Sequence, residues 1–98
     1  MKDLNDSEEV ALDVSNIKTA EEFHQYLKLK LEFPEFYGMN WDAFWDAITG
    51  LVELPENIVI IGWNELVKLI PEEANSFIEI MELYNKEYPM WKCSIRYI

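Results

Sequence analysis

The chain has 98 residues, of which 50% are hydrophobic and 14% aromatic, and its 19 acidic and 8 basic residues give a formal net charge of −11. This length suits one compact domain with a single core, so we expect residues 1–98 to form one domain. The negative charge argues against direct binding to nucleic acid or to an anionic membrane, and it predicts a basic partner.

The cysteine content and the first residues indicate a cellular compartment. Cys93 is the only cysteine, so no internal disulfide can form. The N-terminal residues lack the apolar stretch of a secretory signal, and we therefore expect a cytoplasmic protein. The longest apolar run, residues 58–61, is far too short to span a bilayer.

The first third of the chain predicts a strand and a helix. Residues 1–9 are polar and acidic, and we expect a loosely ordered lead-in there. Alternating apolar side chains predict a strand over residues 10–14. Thr19 and Glu22 then form a capping-box pattern for a helix that ends before Pro34.

The middle of the chain predicts a loop, a short helix and a buried strand. After a loop over residues 33–39, Asn40 suits the N-cap of a helix and Gly50 its C′ position. The β-branched run at residues 58–61 predicts a strand covered on both faces, as in the middle of a parallel sheet. A short helix over residues 63–69 follows.

The last third predicts a long helix and a final strand. Pro71 suits the first turn of the helix, and Pro89 ends it. Its apolar stripe consists of Ala74, Phe77, Ile78, Met81 and Tyr84. A strand over residues 92–98 completes an α/β fold, in which we expect a three-stranded parallel sheet with about four helices packed around it.

Acidic and aromatic side chains are concentrated between Lys30 and Lys68, a stretch without Lys, Arg or His. Its acidic residues are Glu32, Glu35, Asp42, Asp46, Glu53, Glu56 and Glu65. Its aromatic residues are Phe33, Phe36, Tyr37, Trp41, Phe44, Trp45 and Trp63. Large rigid apolar contacts among carboxylates are typical of a surface that recognises a basic protein.

Helical spacing divides the helix after Asn40 into two stripes. The stripe expected to face the core consists of Trp41, Phe44 and Ile48. The stripe expected to face water consists of Asp42, Trp45, Asp46 and Thr49. We therefore expect Trp45 to be substantially exposed between two carboxylates. The like charges of Asp42 and Asp46, one helical turn apart, destabilise an isolated helix by about 0.2–0.5 kcal/mol. Next to a basic partner the same two charges would become stabilising. A merely solvated acidic face remains an equal alternative.

An enzyme is not indicated by the residues. His24 is the only histidine and lacks a neighbouring nucleophile pattern, so we interpret it as a helix-surface or packing residue. Cys93 is interpreted as a small buried hydrophobe. A hydrolase or metal site at Asp42 and Asp46 would need a cleft or further ligands that the sequence does not show. We expect no catalytic residue, no cofactor and no metal.

Residues 33–55 contain three motifs in order and without gaps: Pro-Glu-aromatic-Tyr-Gly, Asn-x-Asp-Ala-x-Trp-Asp and Thr-Gly-x-Val-Glu. Together they resemble the signature of the barstar family, intracellular inhibitors of the secreted ribonuclease barnase. A weaker resemblance extends over nearly the whole chain, through residues 23–25 and Trp63. It implies three parallel strands with helices packed around them, in agreement with the pattern of elements above.

The resemblance implies a stoichiometric inhibitor of a basic, secreted, barnase-type ribonuclease. In the family, the second helix and the loop before it occlude the active site and place carboxylates where RNA phosphates would lie. By resemblance, Asp46 would enter the catalytic phosphate site, Asp42 would meet a neighbouring arginine, and Phe36 would stack near the catalytic histidine. The other implied contacts are Trp45, Thr49, Gly50, Leu51 and Val52. We expect the inhibitor to be a monomer.

The sequence departs from the family pattern at three positions. Phe36 stands where the best-known member has a tyrosine, and Leu51 where it has a tryptophan. Leu83 occupies the position of a further acidic contact, and the adjoining Glu82 would point about 100° away around the helix. These changes bear on which ribonuclease is bound and how tightly. An antitoxin or regulatory module for a different basic partner is the alternative hypothesis, and a carboxylate-dependent hydrolase is a third.

Overall fold

The computed structural model describes residues 9–98, a range that contains three strands, four α-helices and one 3₁₀ turn. The strands are β1 (Glu9–Asp13), β2 (Asn57–Ile61) and β3 (Ser94–Tyr97). The helices are α1 (Ala20–Lys30), α2 (Trp41–Gly50), α3 (Trp63–Leu69) and α4 (Pro71–Glu87), and the 3₁₀ turn is Pro89–Trp91. The predicted order of elements is confirmed.

The strands of this range form one parallel sheet in the order β1, β2, β3, which confirms the predicted α/β fold. β2 is the middle strand, with Val59 paired to Ala11 on one side and to Arg96 on the other. The predicted lead-in over residues 1–9 lies outside the described residues except for Glu9. Because Glu9 already belongs to β1, the lead-in boundary is predicted one residue too late.

The two faces of β2 are covered differently. Ile58 and Ile60 belong to the hydrophobic core, whereas Val59 is buried on the opposite face, outside that core. An ion pair between Arg96 Nη2 and Glu9 Oε2, 3.5 Å apart, joins the two outer strands and so crosses β2. Ile61 is 39% exposed, so the prediction that both faces are covered is wrong at this end of the strand. The second face of β2 is therefore covered at Val59 but not at Ile61.

The N-terminal caps of α1 and α2 follow the sequence. Thr19 Oγ1 accepts a hydrogen bond from the Glu22 amide at 3.1 Å. Asn40 Oδ1 accepts one from the Ala43 amide at 2.7 Å. These bonds satisfy amides that an α-helix leaves without an internal partner. Glu22 Oε1 accepts a hydrogen bond from the Lys18 amide, one residue before the N-cap, whereas the predicted capping box would place this bond at the Thr19 amide.

The C-terminus of α2 differs from its prediction. Gly50 is the last helical residue and has an ordinary backbone conformation, so its assignment to the C′ position is wrong. The Leu51 amide closes the helix by donating to the Ala47 carbonyl at 3.0 Å. Gly62, between β2 and α3, adopts φ 81° instead, and a Cβ built there would lie 2.6 Å from the Ser15 Cβ. This junction needs glycine both for its conformation and for space.

α4 has the predicted stripe and covers the core beneath α2 and α3. Ala74, Phe77, Met81 and Tyr84 are buried, and Ile78 is partly buried. Cys93, just before β3, is fully buried, as its interpretation as a small hydrophobe requires. Of the helices in residues 9–98, none combines the length and apolar character that a membrane span requires.

Candidate partner-binding surface

α2 presents one stripe to the core and the other outward. Phe44 and Ile48 are buried, and the Phe44 ring meets the Phe77 ring of α4 edge-on at 5.9 Å. Trp41 is partly buried against the core, with its ring 4.4 Å from the His24 ring. The core-facing stripe is therefore confirmed, and the helix is fixed in the rotation that leaves Asp42 outside.

Asp42 and Asp46 are both exposed on the outward stripe. Within residues 9–98, neither carboxylate forms an ion pair or a hydrogen bond. Asp42 lies in the first turn of α2, where a negative charge is favourable, but Asp46 lies mid-helix and gains nothing from that end. The two charges repel each other one turn apart. The surface thus presents two negative charges that no cation of residues 9–98 compensates.

The prediction that Trp45 is substantially exposed is wrong. Trp45 is partly buried against the core, and its ring centroid lies 6.3 Å from that of Tyr88 at the end of α4. Helical spacing could not show this contact, because Tyr88 approaches from another element. Thr49 is also partly buried, and its hydroxyl donates to the Trp45 carbonyl at 2.6 Å. Trp45 therefore offers only part of its side chain to a partner, and packing holds that side chain in place.

The remaining predicted contact residues lie at the two ends of α2. Phe36, in the preceding loop, is 76% exposed, an unusual state for a phenylalanine side chain. At the other end Gly50 is exposed, Leu51 is 51% exposed and Val52 is partly buried. Burying a phenylalanine or leucine side chain is worth roughly 1.5–3 kcal/mol. Phe36 and Leu51 thus provide apolar area that only a partner can cover.

The loop that carries Phe36 is held by its neighbours on both sides. Lys28 of α1 donates to the Glu35 carbonyl at 3.3 Å and lies 3.7 Å from the Glu35 carboxylate. The Tyr37 amide donates to the Pro34 carbonyl at 3.0 Å, which closes a turn. Because both neighbours of Phe36 are fixed, its exposed ring has little backbone freedom to lose when a partner binds.

A buried hydrogen-bond network, not expected from the sequence, joins this loop to α1. The Tyr37 hydroxyl lies 2.8 Å from His24 Nδ1 and 3.4 Å from the Asn40 carbonyl. His24 is 3% exposed, so its interpretation as a packing residue is correct, but its part in holding the site was missed. No spacing rule connects His24 to Tyr37, since the contact forms only when the loop folds back over α1.

The same network reaches α4 through a carboxylate. Trp41 Nε1 donates to Glu73 Oε1 at 2.8 Å, and His24 Nε2 lies 3.9 Å from the same oxygen. Burial lowers the pKa of His24, and the charge of Glu73 opposes that shift. Burial also raises the pKa of the Tyr37 hydroxyl, which stays protonated. The N-terminus of α2 is thereby tied to α1 and α4 at once.

The arrangement is suited to binding a basic surface. In the described part of the chain, no group of three or more His, Cys, Asp and Glu side chains is placed to hold a metal ion. Leu83 and Glu82, the positions of the altered acidic contact, are both exposed on α4. The surface formed by α2 and the loop before it combines carboxylates that have no partner among the described residues with rigidly held apolar side chains.

Comparisons with known proteins identify the family of the chain. The family model described as Barstar (barnase inhibitor) matches residues 7–96. A protein of Bacillus subtilis (strain 168) named "Putative ribonuclease inhibitor YrdF" is 32% identical over 78 residues. That alignment covers 80% of this chain and 86% of the relative.

Proposed function

Because this chain belongs to the barstar family, we propose that it is a stoichiometric inhibitor of a basic, secreted ribonuclease of the barnase type. α2 and the loop before it would occlude the active site of the enzyme. The observation that carries the proposal is the pair of exposed carboxylates, Asp42 and Asp46, which lack ionic partners within residues 9–98. An enzyme that binds RNA phosphates has cations positioned to receive them.

In this proposal each predicted contact has a distinct task. Asp46 enters the catalytic phosphate site, and Asp42 meets a neighbouring arginine. Phe36 stacks near the catalytic histidine, where its 76% exposed ring would be covered. The remaining contact area comes from Trp45, Thr49, Gly50, Leu51 and Val52. Carboxylates that occupy phosphate positions imitate the substrate without offering a bond to cleave, so the protein needs no turnover and no cofactor.

The net charge supports rapid encounter with such an enzyme. A formal charge of −11 attracts a basic protein over distances longer than any contact, although physiological salt shortens that range. Barnase and barstar are themselves the standard example of this steering. Exposed charges act mainly on the association rate, whereas the apolar contacts of Phe36 and Trp45 act mainly on dissociation. We propose that the protein works as a monomer in the cytoplasm.

The test is a titration of the protein into a panel of barnase-type ribonucleases, barnase included, with RNA cleavage as the readout. We expect stoichiometric inhibition of at least one enzyme. Asp46→Asn should raise the inhibition constant about 30-fold or more, because it leaves the cations of the enzyme unpaired in the complex. Glu65→Gln, which removes one charge from exposed α3, should change the constant less than about threefold.

Two results would contradict the proposal. Inhibition of no enzyme in the panel would favour a different basic partner. Undiminished inhibition by Asp46→Asn would show that α2 does not carry the phosphate-like charge.

A further inference from the structure

We infer that the partner surface continues beyond α2 into a cleft next to the 3₁₀ turn Pro89–Trp91, and that a basic loop of the bound ribonuclease fills this cleft. The inference rests on the proposed function and extends it to residues outside the motifs of residues 33–55. Met90, Trp91 and Lys92 form one wall of the cleft.

The cleft begins where the predicted contact residues end. It encloses about 620 Å³, and Thr49 and Val52 of the predicted site line one side of it. Volumes of about 300–1,000 Å³ are typical of pockets that hold ligands, so this cleft can accept more than one side chain. A partner seated on α2 would therefore pass over the mouth of the cleft.

A row of aromatic rings connects the two regions. The Trp45 ring lies 6.3 Å from the Tyr88 ring, and the Tyr88 ring stacks on Trp91 with centroids 5.9 Å apart and planes 12° apart. Stacked pairs at such distances attract each other beyond the area they bury. The apolar surface thus continues from the middle of α2 to Trp91.

The segment that carries Trp91 is rigidly held. Asn85 of α4 binds the backbone of Cys93 twice, donating to its carbonyl and accepting from its amide, both at 2.8 Å. The Trp91 amide donates to the Tyr88 carbonyl at 2.9 Å, and Pro89 fixes the first residue of the turn. A preformed surface has less conformational entropy to lose when it binds.

The exposed side chains of this turn have no core to fill. Met90 is 90% exposed and Trp91 is 65% exposed. Tryptophan and methionine are enriched in protein interfaces, and tryptophan often carries a large share of the binding energy. Their exposure also means that their removal should cost the fold little beyond the stacking contact between Trp91 and Tyr88, so binding and folding can be tested separately.

The charge of the chain and of the neighbouring helix selects a basic occupant. The formal net charge is −11, and Asp42 and Asp46 are exposed on α2, the helix that supplies Thr49 to the lining of the cleft. An arginine or lysine side chain can place its stem on aromatic faces and its charge near carboxylates. A second copy of this chain would bring another net charge of −11 and would be repelled. A basic loop of the ribonuclease meets both requirements.

The experiment measures binding kinetics with the panel ribonuclease that the wild-type chain inhibits most strongly. We expect Met90→Ala combined with Trp91→Ala to raise the Kd about tenfold or more, mainly through faster dissociation. Leu69→Ala is the matched control, because Leu69 is 51% exposed and ends α3 next to the N-terminus of α4, roughly 25 Å along α4 from the turn. It should leave the Kd unchanged.

A charge reversal tests the chemistry of the occupant without removing an apolar contact. Lys92→Glu makes the cleft more acidic, so we expect the Kd to fall about two- to fivefold. A rise in the Kd of Lys92→Glu would overturn the inference, because the occupant would then not be basic.

Three further outcomes separate the inference from the proposed function. If the double variant binds like the wild type while Asp46→Asn has lost binding, the cleft lies outside the interface and the proposed function stands. If the wild type binds no ribonuclease of the panel, both fail. If the free chain forms dimers that Trp91→Ala disperses in sedimentation experiments, a second copy covers the turn and the inference is wrong.

Discussion

The hydroxyl of Tyr37 provides the most direct test of how the partner-binding surface is held together. Tyr37→Phe removes one oxygen and keeps the ring, which packs 4.8 Å from the Phe33 ring. The variant leaves His24 Nδ1 without the hydroxyl at 2.8 Å, in a side chain that is 3% exposed. Water has little access to replace the lost partner.

The expected loss follows from the burial of that nitrogen. A buried polar atom that loses its partner costs about 1–3 kcal/mol, and we expect about 2 kcal/mol here. In a domain of this length 1 kcal/mol corresponds to about 4–8 °C, so the Tm should fall by roughly 8–16 °C. Thermal unfolding followed by circular dichroism at neutral pH measures it directly.

Tyr26→Phe is the matched control, since it makes the same change on α1. The Tyr26 hydroxyl accepts a 2.8 Å hydrogen bond from the Asp13 amide at an exposed position, where water can take its place. We expect a loss below about 1 kcal/mol. If the two variants lower the Tm by the same amount, or if the Tm of Tyr37→Phe lies within about 2 °C of the wild-type value, the network does not hold the loop as described.

Three other predictions concern stability. Burial lowers the pKa of His24, so below about pH 6.5, the ordinary pKa of histidine, the unfolded chain binds more protons than the folded chain. The unfolding free energy should therefore decrease as the pH falls through that region. In urea titrations His24→Asn should show a weaker decrease with pH, and an equal decrease in the variant and the wild type would contradict this. Asp46→Asn should raise the unfolding free energy by about 0.2–0.5 kcal/mol, because it relieves the repulsion between Asp46 and Asp42, although the same variant inhibits more weakly. A loss of stability in Asp46→Asn would refute the like-charge argument. Gly62→Ala should lower the unfolding free energy by more than about 1 kcal/mol in the same titrations, because residue 62 has φ 81° and the Cβ of alanine would meet Ser15. An unchanged urea midpoint would rule out the predicted strain.

The proposed partner-binding surface and the stability of the fold make opposite demands on α2 and the loop before it. Asp42 and Asp46 repel each other in the free protein, and Phe36 and Leu51 leave apolar area in water. Each of these features weakens or fails to help folding, and each becomes favourable against a basic partner with matching apolar contacts. The buried network of His24, Tyr37 and Glu73 lies beneath this surface and offsets part of that cost.

Local rules fixed the elements of this protein from its sequence alone. Thr19 and Asn40 cap their helices as predicted, because a cap depends only on residues two or three positions away. The run of residues 58–61 forms a strand for a similarly local reason, since β-branched side chains favour that conformation. The outward position of Asp42 and Asp46 also follows from helical spacing within α2.

Only the tertiary structure decided which side chains meet across elements. Trp45 is partly buried because Tyr88 reaches it from α4, and His24 is a structural residue because Tyr37 folds back over α1. The glycine that needs its freedom is Gly62, not Gly50, because the close approach of Ser15 decides it. Contacts between residues far apart in sequence depend on how elements dock, and a pattern within one element carries no information about the neighbour that will cover it.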